Sequence, residues 1–321
     1  MEKYKIGSYE IFLDQQVGVG SYSAVYIGRC VDSGLIMRYG LEGVEKKIGG
    51  VVLNGIVAIK KILVQKSSFR QQKLVKEEVA IVLHIRDNPN ENVVRYYDVI
   101  DDLDTIYIVM EYCENGDLSK IMGRGPMGEE DVRYYFVQLI KGVRYLDENK
   151  IIHRDIKPKN ILLTGGDASV LKICDFGLAK NKSGLSRVYT ACGSPLYMAP
   201  EMFGEKSYND TVDVWSIGII LYEMLYGINP FGKMKDYNEL ELFMLDGDDE
   251  IVIPPKNKNI FVSDSCLDLL RSLLTKNNET RITLAEVYNH KWLSDDTQDP
   301  GDIPKTPEKA DTDLDEFFYM D

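Results

Sequence analysis

No apolar run in these 321 residues approaches the roughly 20 that a membrane-spanning helix needs, so no membrane span is expected. There is no C-x-x-C pair. The five cysteines (Cys30, Cys113, Cys174, Cys192 and Cys266) are scattered and odd in number, which excludes a disulfide framework and a zinc-finger pattern. They read as reduced thiols of a cytoplasmic or nuclear compartment, with Cys174 expected as a small buried packing residue. No arginine-lysine stripe appears and the net charge is −13, so nucleic acid is not an expected partner. The start, Met1 to Ile6, has no apolar stretch, and Glu2 stands where N-myristoylation needs a glycine; no leader or lipid anchor is expected. No internal repeat is visible.

A hydrophobic content of 44% with 28% charged residues suits one large or two medium domains with a sizeable core. The charge is uneven: residues 294–321 hold ten acids and two lysines. That segment also carries Pro300, Pro304 and Pro307 and little apolar surface before Leu314, and is expected to be a disordered acidic tail. Its end, Leu314 to Tyr319, mixes acids and aromatics as docking motifs do, although a solubilising tail is the preferred reading.

The first part of the chain reads as strands. Tyr9 to Gly18 and Ala24 to Arg29 alternate around a glycine-bearing turn, Val57 to Ile62 follows, and Val94–Ile100 with Thr105–Met110 form a hairpin. One helix, about Phe69 to Ile85, interrupts them. Asp32 to Asn54 is longer than a turn requires and reads as an extended hairpin elaboration. The second part is helical. Val132, Tyr135, Phe136, Leu139, Ile140, Val143 and Leu146 mark one helix face, with Glu129, Glu130 and Asp131 at its positive end. Val214 to Tyr226 is apolar all round and should be buried; Cys266–Leu274 and Leu284–Leu293 supply two more amphipathic segments. A β-rich portion before an α-rich one implies an α+β, two-lobed fold with a cleft, joined near Glu111 to Gly116.

The chemistry concentrates in His153-Arg154-Asp155-Ile156-Lys157-Pro158-Lys159-Asn160 and, fifteen residues after Asn160, Asp175-Phe176-Gly177. Either triplet could arise by chance; together, in order, they supply a base (Asp155), a cation (Lys157) and two oxygen ligands for Mg²⁺ (Asn160 and Asp175). Those groups suit movement of a phosphoryl group onto a hydroxyl. Val17-Gly18-Val19-Gly20-Ser21-Tyr22-Ser23-Ala24-Val25 lies between strands, which fits a flap of backbone N–H groups over nucleotide phosphates and not a dinucleotide fingerprint. Ser23 fills the place of a third glycine, a departure that loosens phosphate packing. Lys60 ends an apolar run and needs a counter-charge; Glu78, alone among Leu74, Ile81, Val82 and Ile85 on one helix face, is the expected partner.

These motifs, in this order from Tyr9 to Leu293, resemble the eukaryotic protein kinase family, as do Ala199-Pro200-Glu201 and Asp213-Val214-Trp215-Ser216-Ile217-Gly218. The resemblance implies a kinase domain over 9–293, with an N-lobe to about 112 and a C-lobe from about 113. It implies ATP as phosphoryl donor with Mg²⁺ and Ser/Thr-bearing protein substrates. Met110 would be the gatekeeper and Glu111-Tyr112-Cys113 the hinge; Asp117 would meet the ribose, and Val25, Ala58 and Leu162 the adenine. Arg281 would pair with Glu201. Lys157, with Gly193-Ser194-Pro195, resembles serine/threonine kinases more than tyrosine kinases. Val109 to Cys113 and Cys192 to Glu201 are most similar to the autophagy-initiating kinase group.

Thr190 lies between Asp175-Phe176-Gly177 and Ala199-Pro200-Glu201, where members of that group are phosphorylated. The resemblance implies a switch set by an upstream kinase or by autophosphorylation in trans, with Arg154 and Lys180 pairing the phosphate. Pro195 and Met198 would line an apolar substrate pocket. Glu223 is open between selecting a basic substrate residue and a structural role. The alternative reading is a nucleotide-binding pseudokinase scaffold, against which Lys60, Glu78, Asp155, Asn160 and Asp175 are all present.

Overall fold

The computed structural model describes residues 2–20, 23–48, 51–64, 68–165, 169–182, 193–203, 210–246, 251–254 and 262–294. Ser21, Tyr22, Thr190, Cys192 and the tail from 295 lie outside them. The chain divides into two compact units, Met1–Glu114 and Asn115–Asp321.

The first unit contains β1 (Lys3–Ile6), β2 (Tyr9–Val19), β3 (Ser23–Cys30), α1 (Ser33–Tyr39), β4 (Glu45–Ile48), β5 (Val51–Asn54), β6 (Ile56–Leu63), α2 (Phe69–Asp87), β7 (Tyr96–Asp102) and β8 (Thr105–Glu111). Six strands form one antiparallel sheet in the order β1-β2-β3-β6-β8-β7. Side chains directly opposite across a ladder share a face. Val25 lies opposite Lys60 and Gly18, and Ala58 opposite Met110. Because Ala58 and Lys60 are two residues apart, the register gathers Gly18, Val25, Ala58, Lys60 and Met110 on one face. The reverse face buries Tyr9, Ile11, Val57, Ile59, Tyr107 and Val109 in a single cluster. A one-residue slip would exchange the two sets, so the apolar alternation itself specifies the register.

Helix α2 starts at a capping box, Ser68 accepting from the Gln71 N–H while the Gln71 side chain accepts from the Ser68 N–H. Its buried residues are Glu78, Ile81, Val82 and Ile85. The Asp32–Asn54 elaboration is a hairpin only in part. Asp32 caps α1 through the Gly34 and Leu35 N–H groups, Gly40 closes it in left-handed geometry, and β4 and β5 then pair as a separate two-stranded ribbon. The short amphipathic helix and β1 carried too few periods to be read from the sequence.

The second unit contains α3 (Ser119–Met122), α4 (Glu129–Glu148), β9 (Ile151–Ile152), β10 (Ile161–Thr164), β11 (Val170–Ile173), β12 (Lys180–Asn181), α5 (Thr211–Tyr226), α6 (Tyr237–Leu245), α7 (Asp264–Leu273), α8 (Leu284–Tyr288) and α9 (Lys291–Ser294). Helix α4 buries Val132, Phe136, Leu139, Ile140, Val143 and Leu146, leaving Tyr135 half-buried. At ~1.5–3 kcal/mol per buried large apolar side chain, that stripe is a main source of the unit's stability. Glu129 accepts from the Ser263 N–H at 2.6 Å and Trp292 Nε1 at 2.8 Å, so the first-turn acid also ties α7 and α9 to α4. Helix α5 is buried along its length except at Glu223. Leu284–Leu293 is two short helices, because the first ends at Asn289.

Candidate active site

The ribbons β9–β12 and β10–β11 bring the two motifs of the second unit together. Residues 153–160 leave β9 and end in a 3₁₀ turn over Pro158–Asn160; Asp175 to Gly177 lie between β11 and β12. The backbone of Cys174 stitches one to the other. Its N–H donates to the Asn160 carbonyl at 2.9 Å, and its carbonyl contacts His153 Nε2 at 3.0 Å. His153 Nδ1 takes the Asp155 N–H at 3.3 Å. A backbone N–H can only donate and a carbonyl can only accept, so the neutral ring carries its proton on Nε2. The ring packs against Phe176, centroids 5.1 Å apart, and both residues are fully buried.

Two non-glycine residues of the site hold left-handed backbone, Arg154 at φ +65° and Asp175 at +64°. Each costs ~1–3 kcal/mol and persists only where its surroundings enforce it. Asp213 enforces the first: its carboxylate accepts the His153 and Arg154 N–H groups, each at 2.8 Å. Burial pushes the Asp213 carboxyl above its ordinary range, and those two N–H bonds work against the rise.

Asp155 is held at both oxygens. Oδ2 accepts from Lys157 Nζ at 2.8 Å and Asn160 Nδ2 at 2.9 Å; Oδ1 accepts from the Ser194 N–H at 3.0 Å. Lys157 Nζ also donates to Ser194 Oγ at 2.7 Å. Gly193 makes this approach possible: its φ is +107°, and a Cβ there would lie 2.9 Å from the Arg154 carbonyl. Asn160 Nδ2 donates in addition to the Asp155 carbonyl at 2.9 Å, which leaves the amide oxygen as the acceptor atom of that side chain. Asp175 is exposed, its Oδ1 accepting the Gly177 N–H at 3.3 Å. Asp117 accepts from Ser119 Oγ and forms a β-bridge with Leu162, so these two sequence-predicted residues are also neighbours.

In the first unit, Lys60 Nζ lies 2.6 Å from Glu78 Oε1, both side chains nearly buried. The flap begins as β2 and returns as β3, with the Gly20 N–H donating to the Ser23 carbonyl at 2.8 Å. A Cβ on Gly20 would meet Ser23 Oγ at 2.8 Å, so the serine in the third-glycine place occupies space that Gly20 leaves open. Val17 and Val19 point out to solvent; Ala24 and Val25 are half-buried. Met110 and Cys113 are buried, with half-buried Glu111 between them bonded through its own N–H to the Arg95 carbonyl at 2.8 Å.

Elsewhere in the second unit, Arg281 forks onto Glu201 at 2.7 and 2.8 Å, with both residues buried. A family model described as "Protein kinase domain" matches residues 44–293. The chain belongs to the protein kinase family. This protein kinase is 35% identical over 298 residues to serine/threonine-protein kinase ATG1a of Arabidopsis thaliana, covering 92% of this chain and 43% of that protein. It is 35% identical over 282 residues to human serine/threonine-protein kinase ULK3, covering 88% and 54%. Calcium/calmodulin-dependent protein kinase type 1 of Caenorhabditis elegans matches at 32% over 294 residues, covering 90% and 76%. The chain thus spans about half the length, or less, of its ATG1 and ULK relatives.

Glu223 takes the Tyr197 hydroxyl at 2.7 Å, and burial pushes its carboxyl up. Arg154 Nε donates to the Leu178 carbonyl at 2.6 Å. Its pairing and that of Lys180 with Thr190 fall outside the described residues. Ser194 and Asp213, which shape Asp155 and its loop, had been no more than family signs. An acid at the start of an otherwise apolar helix was the available signal for Asp213, by the reasoning that found Glu78.

Proposed function

We propose that this chain is a Mg²⁺- and ATP-dependent serine/threonine protein kinase whose catalytic domain occupies 9–293, followed by the 294–321 tail. The observation that carries the proposal is Asp155, a carboxylate anchored by Lys157, Asn160 and the Ser194 N–H on a loop hydrogen-bonded through His153 and Asn160 to Cys174, the residue before a second acid, Asp175. Asp155 would orient the substrate hydroxyl and accept its proton on a carboxylate oxygen. Lys157 would neutralise charge developing on the transferred group. Asn160 and Asp175 would hold Mg²⁺, which supplies charge neutralisation at phosphate oxygens when bound.

The donor set fits that ion: two hard oxygens suit Mg²⁺, which normally shares its coordination with phosphate and water. Among the described residues no group of three or more His, Cys, Asp or Glu side chains is placed to hold a metal by itself. Lys60, oriented by Glu78, would bind nucleotide phosphates beneath the flap from Val17 to Val25. Ala58, Met110, Glu111, Cys113, Asp117 and Leu162 would receive the nucleoside. Substrates are proteins presenting serine or threonine, and Thr190 is the regulatory phosphosite, read by Arg154 and Lys180. No helix among the described residues is long and apolar enough to cross a membrane. The cysteine pattern supports a cytoplasmic location.

Phosphorylation of a peptide library with Mg-ATP tests the activity and its acceptor preference together. Asp155→Asn should lower kcat by orders of magnitude while ADP still binds, and Asp175→Asn should abolish transfer. Full activity in either variant removes that residue from its role, and tyrosine acceptors would overturn the serine/threonine assignment.

A further inference from the structure

The Asp32–Asn54 segment approaches the end of β8 from both faces of the sheet. On the reverse face, Leu35, Ile36 and Tyr39 of α1 pack on the buried cluster that contains Tyr97. Tyr39 donates its hydroxyl to the Tyr97 carbonyl at 2.9 Å, with the rings 5.1 Å apart. Tyr97 is the extra residue at the bulge where the β7–β8 register shifts, and it lies two residues from Arg95, whose backbone exchanges bonds with Glu111. On the other face, Leu53 of β5 is buried with Phe12, Ile27 and Ile56, and Tyr112 packs on that cluster. Lys46 is directly opposite Leu53 in the ribbon and so points the same way. Its ammonium lies 4.1 Å from the centre of the Tyr112 ring and is hydrogen-bonded to the Tyr112 hydroxyl. The next pair, Lys47 and Val52, turns outward and is exposed.

We infer that Asp32–Asn54 is a two-sided clamp on residues 110–113, with Lys46 and Tyr39 as positioning residues for nucleotide binding. A hairpin connection between β3 and β6 needs only a few residues. This one instead uses a capped helix and a ribbon whose inward pair, Lys46 and Leu53, is applied to Tyr112. Both anchors end on polar contacts with a fixed direction, and such contacts restrict a backbone more than apolar packing alone does. The contacts of Lys46 and Tyr39 described above are to Tyr112 and Tyr97, so each would act through the segment that receives the nucleotide. The inference rests on the nucleotide-binding reading given under Proposed function.

The test compares the full chain with Lys46→Met, Tyr39→Phe and the double variant, taking Lys47→Met as the outward-facing control. Three quantities are read: amide hydrogen exchange, Mg-ADP affinity, and KM for ATP against kcat. In the clamp variants, exchange at residues 110–113 should quicken. ADP affinity should weaken and KM for ATP rise by about 3- to 10-fold, with kcat within about two-fold, the span open to a half-buried cation–π contact. Lys47→Met should match the wild type. Unchanged exchange and KM in the double variant would overturn the clamp. So would exchange that quickens across the whole sheet with a lowered melting temperature, since that is a stability effect. A wild-type chain that binds no ADP overturns the nucleotide reading itself, and with it the claim on affinity.

Discussion

His153 Nε2 donates to the Cys174 carbonyl at 3.0 Å, so one buried ring spans the two motifs on which the chemistry depends. The same ring accepts the Asp155 N–H, placing Asp155 and the segment that leads into Asp175 under a common constraint. Replacing His153 with Phe keeps the contact with Phe176 and deletes both hydrogen bonds. A buried group left unsatisfied costs ~1–3 kcal/mol. His153→Phe should therefore lower kcat by about tenfold or more while leaving most of the fold intact. Wild-type kcat in a folded variant would show that the ring does not position either acid.

Arg281 uses all five of its N–H donors: two reach Glu201 carboxylate oxygens, and the others reach the Thr275, Thr211 and Lys276 carbonyls. Its guanidinium also lies 5.1 Å from the Trp215 ring centre. Lysine cannot reproduce the fork, so Arg281→Lys leaves buried acceptors unpaired and should cost ~3–5 kcal/mol. Denaturant unfolding measures this directly. A loss below about 0.5 kcal/mol, the usual span for an exposed surface site, would contradict the buried-pair account.

Gly193 sits where a side chain has neither the backbone freedom nor the space. Gly193→Ala should displace the Ser194 N–H from Asp155 and release Lys157 from Ser194 Oγ. We expect kcat to fall by about 10- to 100-fold, with ADP affinity unchanged. Equal kcat in the alanine variant would mean the Ser194 contact is dispensable.

If Thr190 is the regulatory phosphosite, phosphatase treatment of the wild type should lower its rate to that of Thr190→Ala. Adding Mg-ATP, or an upstream kinase, should restore only the wild type. A Thr190→Ala protein running at the phosphorylated wild-type rate would remove this residue as the switch.

Much of the first unit was legible because its strands alternate cleanly and its one long helix has a charged residue on an apolar face. Glu78 could be paired with Lys60 from that misfit alone, and the pair lies at 2.6 Å. Helix α1 was not legible, because seven residues between two glycine-containing stretches offer two turns of periodicity at most. The reading of Glu223 as a specificity residue was open for a related reason: a helical acid looks the same whether a substrate or Tyr197 answers it.

Residue identity and order alone determined the chemistry, since only a few side chains can act as base, cation and hard-metal ligand, and their spacing is confined to two short segments. Tertiary structure decided how those groups are held. Asp155 is fixed in part by the backbone N–H of Ser194, and the motifs are joined through the backbone of Cys174. Backbone hydrogen bonds are common to nearly every residue, so they leave no mark in the sequence. The contact of Lys46 with Tyr112 is likewise set by the β4–β5 register across a long separation, which local periodicity does not encode.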